Sequence, residues 1–171
     1  MINNIIRTVI YFLIFVLLQV LVLNNIHYLR VATPFVYLYC LLKMPVGTSR
    51  SLILIYSFII GCTIDMFSNT PGMHAAACSL AGFVRAPLIR FLQGEELPDG
   101  IYPSYQTFGN AGFIRYVALF VAIHHIALFL IEALTLFDPF FLLLRIGASV
   151  LTTVLLICVI ELFNFESQKS Q

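Results

Sequence analysis

The chain is predicted to be an all-α integral membrane protein, a bundle of six transmembrane helices with its N-terminus and C-terminus cytoplasmic. Three observations predict this. Of its 171 residues, 61% are hydrophobic and only 10% charged, with a mean hydropathy of +1.00. A soluble domain has roughly 45–50% apolar and about 25% charged residues. Apolar runs recur along the chain between short polar turns, and Lys and Arg collect at every second turn. Residues 1–171 make a single transmembrane domain, with no room for a separate soluble one. The net charge of +1 gives no argument for nucleic acid.

The first span covers about 5–23, and at about 1.5 Å per residue it crosses a bilayer. Asn24 and Asn25 end it. Arg7 before an apolar stretch has the look of a secretion signal, but no small-x-small cleavage site follows, so an uncleaved helix is expected. The second span, about 28–43, is the weak one. Pro34 to Leu42 is apolar, and Lys43, Met44 and Pro45 stop it. Length alone admits a tilted or re-entrant helix.

The third span covers about 50–67, with Thr48 or Ser49 as N-cap. The fourth covers about 71–92. Thr70 is its expected cap, Pro71 suits the first helical position, and Pro87 should kink its far end. The one long loop runs from Gln93 to Gly112 and carries Glu95, Glu96 and Asp99, most simply a solvated segment and more sharply a docking one. The fifth span covers about 113–137. The sixth covers about 139–163, opening at Asp138 and Pro139 as a cap followed by a first-turn proline.

Charge settles whether the second span crosses, because basic residues concentrate on the cytoplasmic side. If all six spans cross, the inner side holds Arg7, Lys43, Arg50, Arg85, Arg90, Arg115 and Lys169, and the outer half only Arg30 and Arg145. If the second does not, the ratio inverts.

The polar stretch from Gly61 to Ala75 interrupts two long apolar runs, a costly arrangement in a bilayer unless it sits at an interface or in a protein pocket. Asp65 is placed to accept from the unpaired first amides of the fourth span or to pair with His74, and Ser68 and Thr70 to cap the same helix. The turn either closes a helical hairpin or meets a partner. A catalytic triad of Asp65, Ser68 and His74 is set aside: all three crowd one turn, with no nucleophile elbow and no oxyanion donors.

Glu132 and Arg145 lie at similar depth on consecutive antiparallel spans and are expected to form an intramembrane ion pair. His124 and His125 point about 100° apart and lack the spacing and carboxylate company of a metal site; neutral histidines bonded inside the bundle are expected. Gln19 reads as an interhelical hydrogen-bonder. Cys40, Cys62, Cys78 and Cys158 read as small apolar helix residues. No metal, cofactor or catalytic constellation is indicated.

The stretch Gly61-x3-Asp65-x2-Ser68-x2-Pro71-Gly72-x-His74-Ala75, followed by Leu80-x-Gly82-Phe83, resembles the signature of the rod shape-determining MreD family. The family pattern usually has a leucine between its Pro and Gly; here Pro71 and Gly72 are adjacent. The resemblance covers essentially the whole chain, including the short second span that follows a proline and ends on a basic residue. It implies a non-enzymatic subunit of the bacterial cell-wall elongation complex in the inner membrane. The implied partners are MreC, MreB, RodA and a penicillin-binding transpeptidase. It also implies a fold similar to the substrate-binding subunits of energy-coupling-factor transporters. That likeness supplies the alternative function, capture of a small molecule such as a vitamin from the outer face. The first span, with no small residues between Tyr11 and Leu23, argues against transporter-type docking.

The topology is testable in a variant freed of its native cysteines. A cysteine placed at Gly100 should react only from the cytoplasmic side, and one at Asn69 only from the outside. Labelling of position 100 in intact cells by an impermeant maleimide contradicts the topology.

Overall fold

The structure, a computed structural model, describes residues 2–23, 32–94, 97–133 and 138–169, and side chains within 6–164 of that set. Asn24, Asn25, Arg30, Glu95, Glu96 and the side chain of Lys169, all used above, lie outside the description, as do the span bounds at 28 and 137. The described elements are helices: α1 (Ile2–Leu21), α2 (Leu38–Leu42), α3 (Arg50–Ser68), α4 (Met73–Gln93), α5 (Tyr105–Glu132) and α6 (Pro139–Lys169). Four are long and apolar enough to cross a membrane: α3, α4, α5, and α6 over Pro139–Asn164. The pattern is that of a multi-pass membrane protein. Large apolar side chains face outward, as on α1, where Ile6, Val9, Ile10, Leu13, Ile14, Leu17 and Leu21 form one exposed stripe. Polar ones, including Gln19, Lys43, His124, His125, Thr153 and Glu161, are buried.

The second expected span needs correction. Over the described residues of 28–43 only Leu38–Leu42 is α-helical; residues 33–35 lie in no regular element. Pro34 removes a donor and drives Thr33 out of helical geometry, and Pro45 stops the helix. The stretch nonetheless travels far. Thr33 N–H donates to Ser149 Oγ (3.0 Å) and Phe35 N–H to Thr153 Oγ1 (3.0 Å). Tyr39 OH donates to Glu161 Oε2 (2.6 Å). From Ser149 to Glu161, α6 rises roughly 18 Å at about 1.5 Å per residue. From Phe35 on the chain turns into α2, Leu38 N–H donating to Phe35 O and Tyr39 N–H to Val36 O. The long Tyr39 side chain completes the reach to Glu161.

These contacts also give direction. The segment runs parallel to α6 and antiparallel to α1, where Gln19 meets Pro34 and Val36 while the Tyr11 carbonyl accepts from Cys40 Sγ (3.3 Å). His74 beside Tyr37 and Arg85 beside Leu42 show it parallel to α4. His124 beside Tyr37 and Tyr116 beside Leu42 show it antiparallel to α5. Six segments therefore alternate in direction, with residues 35–44 buried along the bundle's centre. The end holding the starts of α1, α3 and α5 is the near end below; the other is the far end.

α3 and α4 form the tightest hairpin. A Cβ on Gly61 would lie 2.6 Å from the Ala75 amide nitrogen, and one on Gly82 would run into the Ser57 hydroxyl. Ala77, Cys78 and Ala81 continue the small-residue interface, which lets backbones approach closely in a membrane. α4 begins at Met73, with Gly72 as N-cap at φ 83°. Thr70 and Pro71 thus belong to the turn and are not the cap and first residue of the helix. α4 continues through Pro87 to Gln93.

α5 starts earlier than the expected 113. Ser104 and Thr107 form a reciprocal capping box, and Gly109 (φ 70°, ψ 165°) breaks the helix after its first turn. α6 opens as expected, Asp138 Oδ1 accepting from Phe141 N–H at 3.0 Å.

Gln19 should be the costliest uncharged side chain to remove from this core. Its Oε1 accepts from Val36 N–H (2.9 Å) and its Nε2 donates to Pro34 O (3.1 Å). Gln19→Leu orphans both, at about 1–3 kcal/mol each. Unfolding in mixed micelles should show the loss; unchanged stability contradicts the assignment.

Candidate functional site

The motif region folds into a hairpin lock at the far end. Asp65, on the last turn of α3, is 6% exposed. Its Oδ1 accepts from His74 N–H (3.0 Å) and Thr70 Oγ1 (2.9 Å), and its Oδ2 from Ala75 N–H (2.9 Å). The carboxylate of one helix thus satisfies first-turn amides of the next, where the helix dipole favours negative charge. Asn69, left-handed at φ 54°, ends α3. Gly61 lets α4 approach. Ser68 is the last residue of α3, and Pro71 and Gly72 are exposed in the turn. Met66 (83% exposed) and Phe67 (62%) flank it.

The His74 ring does not pair with Asp65. It turns inward, Nδ1 lying 2.8 Å from Tyr37 OH, which is also 3.0 Å from His124 Nε2. His124 Nδ1 has no partner among the described residues. The proton arrangement orphaning no donor therefore has His124 Nε2–H donating to Tyr37 and Tyr37 OH donating to His74 Nδ1. His125 serves the other flank of the segment. Its Nδ1–H donates to Val121 O (2.8 Å), leaving Nε2 to accept from Thr153 OH (3.2 Å), which itself accepts from Phe35 N–H. Both histidine rings pack against Phe35, with centroids 6.0 Å (His124) and 5.1 Å (His125) from its ring.

Glu132 and Arg145 meet at the far end, Arg145 Nη1 lying 2.9 Å from Glu132 Oε1 with side-chain exposures of 28% and 37%. The Arg145 guanidinium also lies over the Phe129 ring, 4.6 Å from its centroid. This is a bundle-edge contact between α5 and α6.

The most buried ion pair was not singled out from the sequence. Lys43 Nζ lies 2.9 Å from Glu161 Oε1, with side-chain exposures of 2% and 4%. Lys43 also donates to Pro103 O (2.7 Å). Glu161 Oε2 accepts from Tyr39 OH, which accepts from Asn164 Nδ2 (2.6 Å). In the sequence Lys43 marks the end of the second span; in the structure it is the charged anchor of the central segment. The signal was available: Glu161 is a lone acid in an apolar run, and an ionisable residue within a span calls for a partner at its depth. Arg85 (1% exposed) holds the same end, its Nη2 donating to Leu42 O (3.4 Å) and to Met44 O.

No group of three His, Cys, Asp or Glu side chains among the described residues is disposed to hold a metal ion. Comparison of the chain with family models, with curated proteins and with solved structures gives no match.

Breaking one partner of a buried pair leaves an uncompensated charge, a loss of roughly 3–5 kcal/mol, whereas replacing both with apolar groups of similar volume is often neutral. Lys43→Met and Glu161→Leu should therefore each lower accumulation and thermal stability. The double variant should recover most of the loss. Additive losses would mean that the two charges do not depend on one another.

Proposed function

We propose that the chain is an MreD-like, non-enzymatic membrane subunit of a bacterial cell-wall elongation complex, scaffolding or regulating lateral peptidoglycan synthesis from the inner membrane. Both termini are cytoplasmic on this reading. The near end, with Arg7, Lys43, Arg50, Arg85, Arg90 and Arg115, faces the cytoplasm, as the positive-inside rule favours. On the same reading, the fold would be similar to that of the substrate-binding subunits of energy-coupling-factor transporters.

One observation carries the reading. The residues of the family-like motif, Gly61, Asp65, Pro71, Gly72 and His74, are spent together on a single rigid turn at the outer end of α3 and α4. Asp65 and Gly61 lock it, His74 ties it to the central segment, and Met66, Phe67, Asn69 and Pro71 are left on its surface. A rigid outer turn with an apolar rim suits contact with a membrane-anchored partner such as MreC. The near-end loops are free on this account to meet a cytoplasmic filament of the MreB kind.

Depletion of the protein, followed by imaging of newly inserted wall, tests the proposal. Cells should widen and new lateral wall should lose its normal placement. Normal shape and wall placement, with a growth defect cured by one vitamin, would replace this reading with the small-molecule-binding alternative.

A further inference from the structure

Two cavities share a wall at the near end of the bundle. The first, of about 400 Å³, is bounded by the loop before α3, the first turn of α3, the last turns of α4 and Leu97–Asp99. Arg50, Arg85 and Arg90 line it, against Asp99 as the one carboxylate among the described lining residues. Arg85 is 1% exposed, and its Nε has no hydrogen-bond partner among the described residues. Arg50 and Arg90 are exposed, and neither makes an ion pair among the described residues. Ser49, the N-cap of α3 and part of the same wall, makes no side-chain cap hydrogen bond. The cavity thus gathers three guanidinium groups, a buried donor without an acceptor and the positive end of a helix dipole.

The second cavity, of about 570 Å³, adjoins it through Val46, Gly47, Thr48 and Asp99. Its other walls include Val9, Met44, Leu52 and Tyr56, so it runs as an apolar groove between α1 and α3. The ridge between the cavities is held in shape by pairing of the loop with the chain after α4: Val46 N–H donates to Ile101 O and Gly100 N–H to Val46 O, both 2.8 Å.

We propose that the paired cavities form a site for an anionic phospholipid, its phosphate held by Arg50, Arg85 and Arg90 and an acyl chain lying in the groove beside Val9 and Leu52. The charge selects an anion, with three arginines against one aspartate among the described lining residues. A soluble phosphate would account for the polar cavity alone. The adjoining apolar groove, open between two lipid-facing helices, favours a lipid. Basic residues at helix ends on the headgroup level are how such lipids are recognised. The inference is independent of any role in wall synthesis.

The test uses the full chain in detergent and in nanodiscs, with dioleoylphosphatidylglycerol, dioleoylphosphatidylcholine and inorganic phosphate as probes. Native mass spectrometry and thermal melting are the readouts. Phosphatidylglycerol should remain bound and raise the melting temperature, with phosphatidylcholine doing neither. Arg50→Gln with Arg90→Gln changes only exposed positions. It should weaken phosphatidylglycerol retention roughly thirtyfold while leaving melting in phosphatidylcholine unchanged. Leu52→Trp should reduce retention by filling the groove. Equal retention of the two lipids, or a double variant that binds like the parent, overturns the proposal. Stabilisation by inorganic phosphate equal to that by the lipid, insensitive to Leu52→Trp, overturns the lipid in favour of a soluble anion.

Discussion

The constraint on which this structure depends is the hydrogen-bonding demand of an irregular backbone at membrane depth. A helix satisfies its own amides and carbonyls; the stretch around Thr33–Val36 does not. In hydrocarbon each orphan costs several kcal/mol, and such backbone persists only where protein surrounds it. Here the surrounding helices supply the partners. Ser149 and Thr153 of α6 receive the Thr33 and Phe35 amides, and Gln19 of α1 takes the Val36 amide and the Pro34 carbonyl. At the other end, Arg85 of α4 takes the carbonyls left open by the five-residue α2. Burial of residues 35–44 is therefore a requirement, and the polar residues inside the bundle are largely its consequence.

From this follows the depth at which each polar group lies. Lys43 ends the segment and needs an anion level with it, which Glu161 provides. The Tyr37 hydroxyl sits mid-segment and needs partners level with it, which His74 and His124 provide. The segment is thereby tied to α1, α4, α5 and α6. A displacement of it would have to break an ion pair or orphan several amides. That makes it a rigid spine and ties the hairpin lock at Asp65 to the ion pair near the opposite end through one short piece of chain.

Much of this was legible in the residues, and where it was not the reason is physical. Hydropathy marked an all-helical membrane bundle, and α3, α4, α5 and α6 are long and apolar enough to span. Asp138 and Pro139 marked the start of α6, and the apolar runs marked α3 and α4 to within a few residues. The second pass was misread as helical because apolar length was converted at the helical rise. Pro34 was the signal, since it removes a donor and keeps Thr33 out of helical geometry. The start of α5 was missed because Ser104 and Thr107 lay inside a loop rich in Gly and Pro, where a capping box is easily overlooked. At the site, Asp65 capping α4 followed from local spacing. The inward turn of His74 and the pairing of Lys43 with Glu161 did not, since they join residues 37 and 118 positions apart. Only depth matching between spans reveals such pairs.

The fate of Asp65 bears on how a partner would read the far-end turn. Both carboxylate oxygens are already engaged, by two backbone amides and a hydroxyl, and the side chain is almost fully covered. A charge so used offers little to a second molecule, because withdrawing it would orphan the first turn of α4. On the proposed reading, recognition at this end therefore falls to shape and apolar surface. Met66 and Phe67 lie exposed beside the rigid bend at Pro71 and Gly72, a surface suited to a membrane-anchored helix. The acidic residue at the centre of the motif then acts by holding that surface in one conformation. An Asp65 substitution would disturb partner binding through the hairpin's shape, and its effect would follow the stability of the α3–α4 turn closely.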